Sequence, residues 1–162
     1  MKFPTIEIGC GDVCDLRFDV RADIQDTPAV THVFDMCSIP FDNDTFCLLK
    51  AAACIEHITP EQQQQAVSEF RRVLIPHGVV YVQTPDAAYW TMRLGDNDPA
   101  VREWAWVQMK GGERDEFDMH KGLLNAAQLV DLFESNGFRK VWLHDGNEAA
   151  GSLDACFEKV EK

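Results

Sequence analysis

Ile6-Glu7-Ile8-Gly9-Cys10-Gly11-Asp12 is an apolar run that ends in a glycine turn, and two acidic residues follow it at equal steps, Asp23 and Asp35. A residue without Cβ permits both a tight turn and close approach of bare backbone to a ligand, so a strand ending in Gly-x-Gly suggests a nucleotide-like ligand. A carboxylate at the end of a following strand then accepts hydrogen bonds from a ribose. Taken alone, a Gly-x-Gly after a strand is also what an ordinary turn looks like. Its meaning depends on the rest of the chain.

Working outward, hydrophobic period and turn residues predict alternating strands and helices. Strands are expected at Thr5 to Ile8, Phe18 to Ala22 and His32 to Phe34, and the apolar run Phe46 to Ala53 reads as a buried parallel strand. A helix follows, with Thr59 as N-cap, Pro60 at the first position and Gln62 as capping-box partner. Ala66, Val67, Phe70, Val73 and Leu74 fall on one face of it, and Pro76-His77-Gly78 is expected to stop it. Val79 to Thr84 is the next strand, ended by Pro85-Asp86. Residues 85–122 read as an insertion holding Trp90, Trp104 and Trp106, with Asp98-Pro99 opening a short helix. Asn125 caps a second helix that Asn136-Gly137 closes, and Phe138 to His144 with Ser152 to Val160 reads as an antiparallel hairpin.

The expected fold is therefore α/β: a Rossmann-like, mostly parallel sheet with helices on both faces and a C-terminal antiparallel hairpin strand, in a minimal version with a trimmed first crossover. Ligands of such sheets bind outside the carboxyl ends of the strands. The Gly9 turn, Asp23, Asp35 and the segment after Ala53 all fall at those ends.

At 162 residues and 46% hydrophobic content, one core and one domain spanning 1–162 are expected. The net charge of -12 argues against binding along a nucleic-acid backbone, and no apolar stretch reaches the roughly 20 residues of a membrane span. Met1-Lys2-Phe3-Pro4 leads into a strand without a signal-peptide core, so a cytoplasmic protein is expected. The six cysteines, Cys10, Cys14, Cys37, Cys47, Cys54 and Cys156, contain no Cys-x-x-Cys pair and read as reduced structural thiols. The five histidines lack the helical two-histidine spacing of a metal site, so no metal is expected.

The chain resembles the class I S-adenosylmethionine-dependent methyltransferases, in particular the short group related to the type 11 methyltransferase domain. Glu7-Ile8-Gly9-Cys10-Gly11 is similar to their glycine motif, and Phe34-Asp35-Met36 with Ile39-Pro40-Phe41-Asp42-Asn43-Asp44-Thr45-Phe46 to their Asp-x-x-x-Leu-Pro-Phe segment. Ile55-Glu56-His57-Ile58 and Arg71-Arg72-Val73-Leu74-Ile75-Pro76-His77-Gly78 resemble their Leu-Glu-His and Arg-Val-Leu-Lys-Pro-Gly-Gly signatures. Gly111-Gly112, Asp118-Met119-His120-Lys121 and Asn136-Gly137-Phe138 also find counterparts, so the resemblance spans nearly the whole chain.

The resemblance implies a cofactor, S-adenosylmethionine, and its site. Gly9, Cys10 and Gly11 would let backbone approach the methionine part, with Glu7 fixing the turn or reaching the ammonium through water. Asp23 would accept from the ribose hydroxyls, with Asp19 as its rival if the strand register differs. Asp35 would accept from the adenine amine, Met36 would contact the ring, and backbone near Ala53 would face the amino-acid end. His57 and His120 are the candidate catalytic bases. The expected partner is a small-molecule or sugar-linked methyl acceptor.

Two departures bear on the reading. The turn lacks a third glycine, and only 12 residues separate Gly11 from Asp23, too few for strand, full helix and strand. The cofactor site is then open, or closed by the insertion, a second copy or a partner chain. The shortened crossover also keeps a second reading in play, a non-catalytic cofactor-binding subunit of a larger assembly. It disfavours a nicotinamide-dependent oxidoreductase, whose pyrophosphate needs a complete glycine motif and the helix behind it.

Overall fold

The structure, a computed structural model, describes residues 3–112 and 117–161. Seven strands form one sheet: β1 (Thr5–Ile8), β2 (Val20–Asp23), β3 (His32–Val33), β4 (Phe46–Ala52), β5 (Leu74–Pro85), β6 (Phe138–His144) and β7 (Ser152–Lys159). Their order is β3-β2-β1-β4-β5-β7-β6. The first five pair in parallel, while β7 runs antiparallel to both of its neighbours. The chain thus changes direction of sheet growth between β1 and β4, and a crevice opens at such a switch point.

Register fixes which side chains form the core. Ile6 and Ile8 of β1 stand opposite Leu49 and Ala51 of β4, which in turn face Val80 and Val82 of β5, and those face Phe157 and Ala155 of β7. All eight are buried, because residues paired across strands share a face. Among the described residues, four α-helices accompany the sheet: α1 (Pro60–Val73), α2 (Ala87–Arg93), α3 (Pro99–Lys110) and α4 (Ala126–Ser135). Helix α1 lays Ala66, Val67, Phe70 and Val73 into that core, and α4 adds Leu129, Leu132 and Phe133. Phe133 stacks on Phe157 with centroids 4.3 Å apart. Burying each such large side chain contributes roughly 1.5–3 kcal/mol.

The capping box predicted at Thr59 is formed, and Asn125, expected only as an N-cap, makes a second one. Thr59 Oγ1 accepts from the Gln62 N–H while the Gln62 side chain accepts from the Thr59 N–H, and Asn125 and Gln128 repeat the exchange. Helical cover is thinner on the opposite face, where Leu48, Lys50, Tyr81 and Cys156 are half-buried. The crossovers after β1 and β2 are loops among the described residues, as the short spacing from Gly11 to Asp23 requires.

Several boundaries differ from those expected. Strand β2 starts at Val20 rather than Phe18 and includes Asp23 as its last residue. Helix α1 ends at Val73, before the Pro76-His77-Gly78 segment, and β5 begins at once with Leu74. Ile75 precedes a proline and is steered to extended backbone, while Leu74 pairs with Phe46 across a register shift. His77 takes up the irregularity with φ of 61°. In the insertion the helix opened by Asp98 is twelve residues long, and α2, capped by Asp86, is an element that sequence periodicity did not announce.

Candidate active site

The glycine turn is drawn over the end of β2: the Gly9 and Cys10 N–H groups both donate to the Ala22 carbonyl, at 2.8 and 3.3 Å. Gly9 has φ of +70°, and a Cβ there would collide with the Cys54 side chain, so only glycine fits. Gly11, at φ of +55°, has open space where its Cβ would stand. Asp23 Oδ2 accepts from the Gly11 N–H at 2.8 Å, and Oδ1 from the Gln25 N–H at 2.9 Å. Asp35 Oδ1 likewise accepts from the Cys37 N–H at 2.8 Å.

These groups surround a cavity of about 600 Å³ at the carboxyl ends of the strands. Gly9, Cys10, Gly11, Asp23, Asp35, Met36 and Ala53 all line it. Glu7 lies beneath the turn, outside that lining. Its Oε2 accepts from the Asp15 N–H and its Oε1 from Lys50 Nζ, both at 2.6 Å, which ties the loop after the turn to β1 and β4. Asp19 is not a rival for Asp23: its carboxylate accepts from the Thr5 N–H and hydroxyl at the start of β1, away from the strand ends.

One expectation about thiols is corrected. Cys10 and Cys14 are joined by a disulfide across the loop that follows the glycine turn, with Cα atoms 4.9 Å apart. The turn from Cys10 to Val13 folds the chain back and brings the two together, a closeness that their spacing does not reveal. Cys37, Cys47, Cys54 and Cys156 are free, and burial pushes the Cys54 thiol well above its usual range.

A second cavity of about 340 Å³ adjoins the first, and Ala53, His57 and Asp118 line both. Ala53 is the hinge of this wall, with φ of 51° and its N–H on the Gln83 carbonyl at 2.9 Å. Such left-handed non-glycine residues cost of order 1–3 kcal/mol and cluster at ligand sites. Glu56 is 1% exposed, and its Oε2 accepts from the Thr84 hydroxyl at 3.0 Å. Burial raises its carboxyl pKa to about 7. His57 Nε2 lies 4.0 Å from Glu56 Oε1, and the His57 and His120 ring centroids are 4.9 Å apart. Burial lowers the His120 pKa, which favours the neutral ring.

The two predicted histidines are thus brought together. Among the insertion tryptophans, Trp90 packs into the structure beside Gly151, while Trp104 and Trp106 are exposed on α3 and line neither cavity. The sequence reading missed Gln62, Lys121 and Gln25 in the first cavity and Glu56, Thr84 and Gln108 in the second. Thr84 is the last residue of an expected strand and Gln25 stands three residues past the end of another, and that adjacency was the available signal.

No functionally curated protein matches the chain. Residues 13–82 match the family model of a methyltransferase domain. Among solved structures, a methyltransferase dependent on S-adenosylmethionine from Methanosarcina mazei matches with a TM-score of 0.67 at 15% identity, covering 100% of this chain and 95% of that one. The 1,6-didemethyltoxoflavin-N1-methyltransferase of Burkholderia thailandensis, solved with its substrate and S-adenosylhomocysteine, matches with a TM-score of 0.67 at 12% identity, covering 97% and 71%. A Haloferax volcanii complex between the Trm112 methyltransferase activator and a protein assigned as a methyltransferase gives a TM-score of 0.66 at 13% identity, covering 98% and 83%. At these identities the likeness is one of fold. Residues 13–82 thus match a methyltransferase domain, and the fold of the whole chain is the one that these S-adenosylmethionine-dependent methyltransferases share.

Proposed function

We propose that the protein transfers the methyl group of S-adenosylmethionine to a small-molecule or sugar-linked acceptor held in the second cavity. The observation that carries this reading is the shared wall: Ala53, His57 and Asp118 border both cavities, so a donor in the first and an acceptor in the second meet there. Asp23 and Asp35 would take the ribose and the adenine amine, and Gly9 to Gly11 would admit the amino-acid end. A sulfonium methyl is already a strong electrophile, so holding the nucleophile in line with sulfur is the main task, and positioning of that kind supplies roughly 7 to 11 kcal/mol. Carbon gains its bond to the acceptor as the carbon–sulfur bond breaks, and the electron pair stays on sulfur.

The polar wall of the second cavity, with Gln83, Gln108, His120 and Ser152, suits an acceptor bearing hydroxyl or amine groups. His57 and His120 present imidazole to it, where the proton of such a group must be handled. The insertion 85–122 would form the acceptor side of a single domain spanning 1–162.

The half-buried sheet face around Lys50 and Tyr81 favours a second reading, in which the chain holds the cofactor as a subunit of an assembly, as an activator-bound methyltransferase would. Calorimetry with S-adenosylmethionine, S-adenosylhomocysteine and NAD, followed by a metabolite screen for S-adenosylhomocysteine release, separates the two. Binding of the sulfur compounds with release on some acceptor is the expected result. Binding without release across the screen favours the subunit reading, and binding of NAD alone overturns both.

A further inference from the structure

Glu56, His57 and His120 come from two distant parts of the chain and converge on the wall between the cavities. One ligand-type atom from each lies within 4.8 Å of the other two. The arrangement of their outer partners is what gives this cluster a direction. His57 Nδ1 faces the Met119 carbonyl at 3.3 Å, and His120 Nδ1 faces the Gln108 carbonyl at 2.8 Å. A ring nitrogen opposite a carbonyl carries the proton and donates, which leaves the lone pair of each imidazole on Nε2. His57 Nε2 is the atom turned toward Glu56 Oε1. The other Glu56 oxygen is held by the Thr84 hydroxyl. Imidazoles whose second nitrogen donates to a backbone carbonyl, and a carboxylate steadied by a hydroxyl, are the outer shell that metal ligands carry.

We propose that Glu56, His57 and His120 bind one divalent first-row transition cation, with its remaining positions open to the second cavity. Two imidazoles and a carboxylate suit zinc, cobalt, iron or manganese better than magnesium or calcium. Three protein ligands with open coordination positions are the pattern of catalytic sites, whereas structural sites close the shell. Bonds of about 2.1 Å place adjacent ligand atoms about 3 Å apart, so rotation of the rings draws the cluster inward on binding. The sequence offered no such site, because His57 precedes the insertion and His120 stands near its far end.

Resting on the proposed methyl transfer, the inference also narrows the acceptor: an oxygen nucleophile that ligates the cation. Metal-bound hydroxyl is far more acidic than free hydroxyl. Its proton leaves to solvent in the cavity, the oxygen forms its bond to the methyl carbon, and the carbon–sulfur bond breaks toward sulfur. The imidazoles then serve as ligands, and acidity of the acceptor comes from the cation.

Cobalt(II) chloride titrated into chelator-treated, cofactor-free protein tests the site without reference to turnover. One equivalent should bind with visible d–d absorption. Glu56→Gln, which keeps the shape and can still accept from Thr84, should abolish that signal, as should His120→Ala. Thr84→Val should weaken binding about 10- to 100-fold. S-adenosylhomocysteine affinity on the same samples reports whether each variant is folded. Absence of cobalt binding in the wild type, or binding that survives in folded Glu56→Gln and His120→Ala, overturns the proposal. Cobalt binding without S-adenosylhomocysteine binding would instead support the metal site while sinking the methyl-transfer reading.

Discussion

Asp23 Oδ2 accepts a 2.8 Å hydrogen bond from the backbone N–H of Gly11, so the acidic end of β2 and the glycine turn after β1 hold each other. Each of its oxygens accepts one backbone bond and keeps a second lone pair, which under the proposed function would take a ribose hydroxyl. Asp23→Ala should lower S-adenosylhomocysteine affinity by on the order of 1.5 to 3 kcal/mol, roughly ten- to a hundredfold. Asp23→Asn, which can still accept from Gly11, should lose less. Calorimetric titration of both variants checks this, and equal affinities across wild type, Asn and Ala would remove Asp23 from the site.

Gly9 is the position where the turn has no latitude. Its φ of +70° and the Cys54 side chain against it leave no room for a methyl group. Gly9→Ala should cost about 1–3 kcal/mol of stability from the backbone conformation alone, with a further loss from displacement of Cys54. Gly11→Ala shares the unfavourable φ but meets open space, so it should be the milder change in a urea melt. A Gly11→Ala protein less stable than Gly9→Ala would contradict this account.

How much of this could be read from the sequence depends on the range of the interaction. The caps at Thr59 and Asn125 are local, four-residue events, and both were visible as residue patterns. The buried stripes of β4 and α1 were visible for the same reason, since period reports the covered face. Asp35 and Met36, named through the resemblance, line the first cavity. What escaped was long-range or conformational. The disulfide between Cys10 and Cys14 depends on how a loop folds back, and the left-handed backbone of Ala53 has no residue signature. The Glu56, His57 and His120 cluster exists only because the strap from 117 to 122 returns to the short turn at Ile55–His57, where the Glu56 carbonyl accepts from the Lys121 and Gly122 N–H groups.

Gln63 is the second tie of that strap. It is 2% exposed, and its Nε2 donates to the Ile55 and Gly122 carbonyls from within α1. Gln63→Leu fills a similar volume but leaves both carbonyls buried without that donor. Stability should fall by about 1–3 kcal/mol for each unsatisfied group. Because Asp118 and Lys121 of the strap also line the first cavity, S-adenosylhomocysteine affinity should fall as well once the variant is folded. Denaturant midpoints together with calorimetry test the two statements separately. A Gln63→Leu protein as stable as wild type would show that the strap does not rely on this residue.

Glu56 sets a pH dependence whose direction follows from burial. Its carboxyl pKa is raised from 4.5 to about 7, so the folded protein keeps this proton over a range in which the unfolded chain has released it. Unfolding therefore releases a proton between those two values, and stability contributed by the neutral form is lost as pH rises through them. A shift of that size corresponds to on the order of 3 kcal/mol. Glu56→Gln carries no charge at any pH and keeps an acceptor for the Thr84 hydroxyl. In chelator-treated protein, wild type and Glu56→Gln should melt at similar temperatures near the lower value. At about pH 8 the variant should be the more stable, by the amount that ionising a buried carboxyl costs. Thermal melts across this range provide the measurement, and a variant that is less stable than wild type at the alkaline end would mean that the ionised carboxylate is stabilised in the fold rather than merely tolerated.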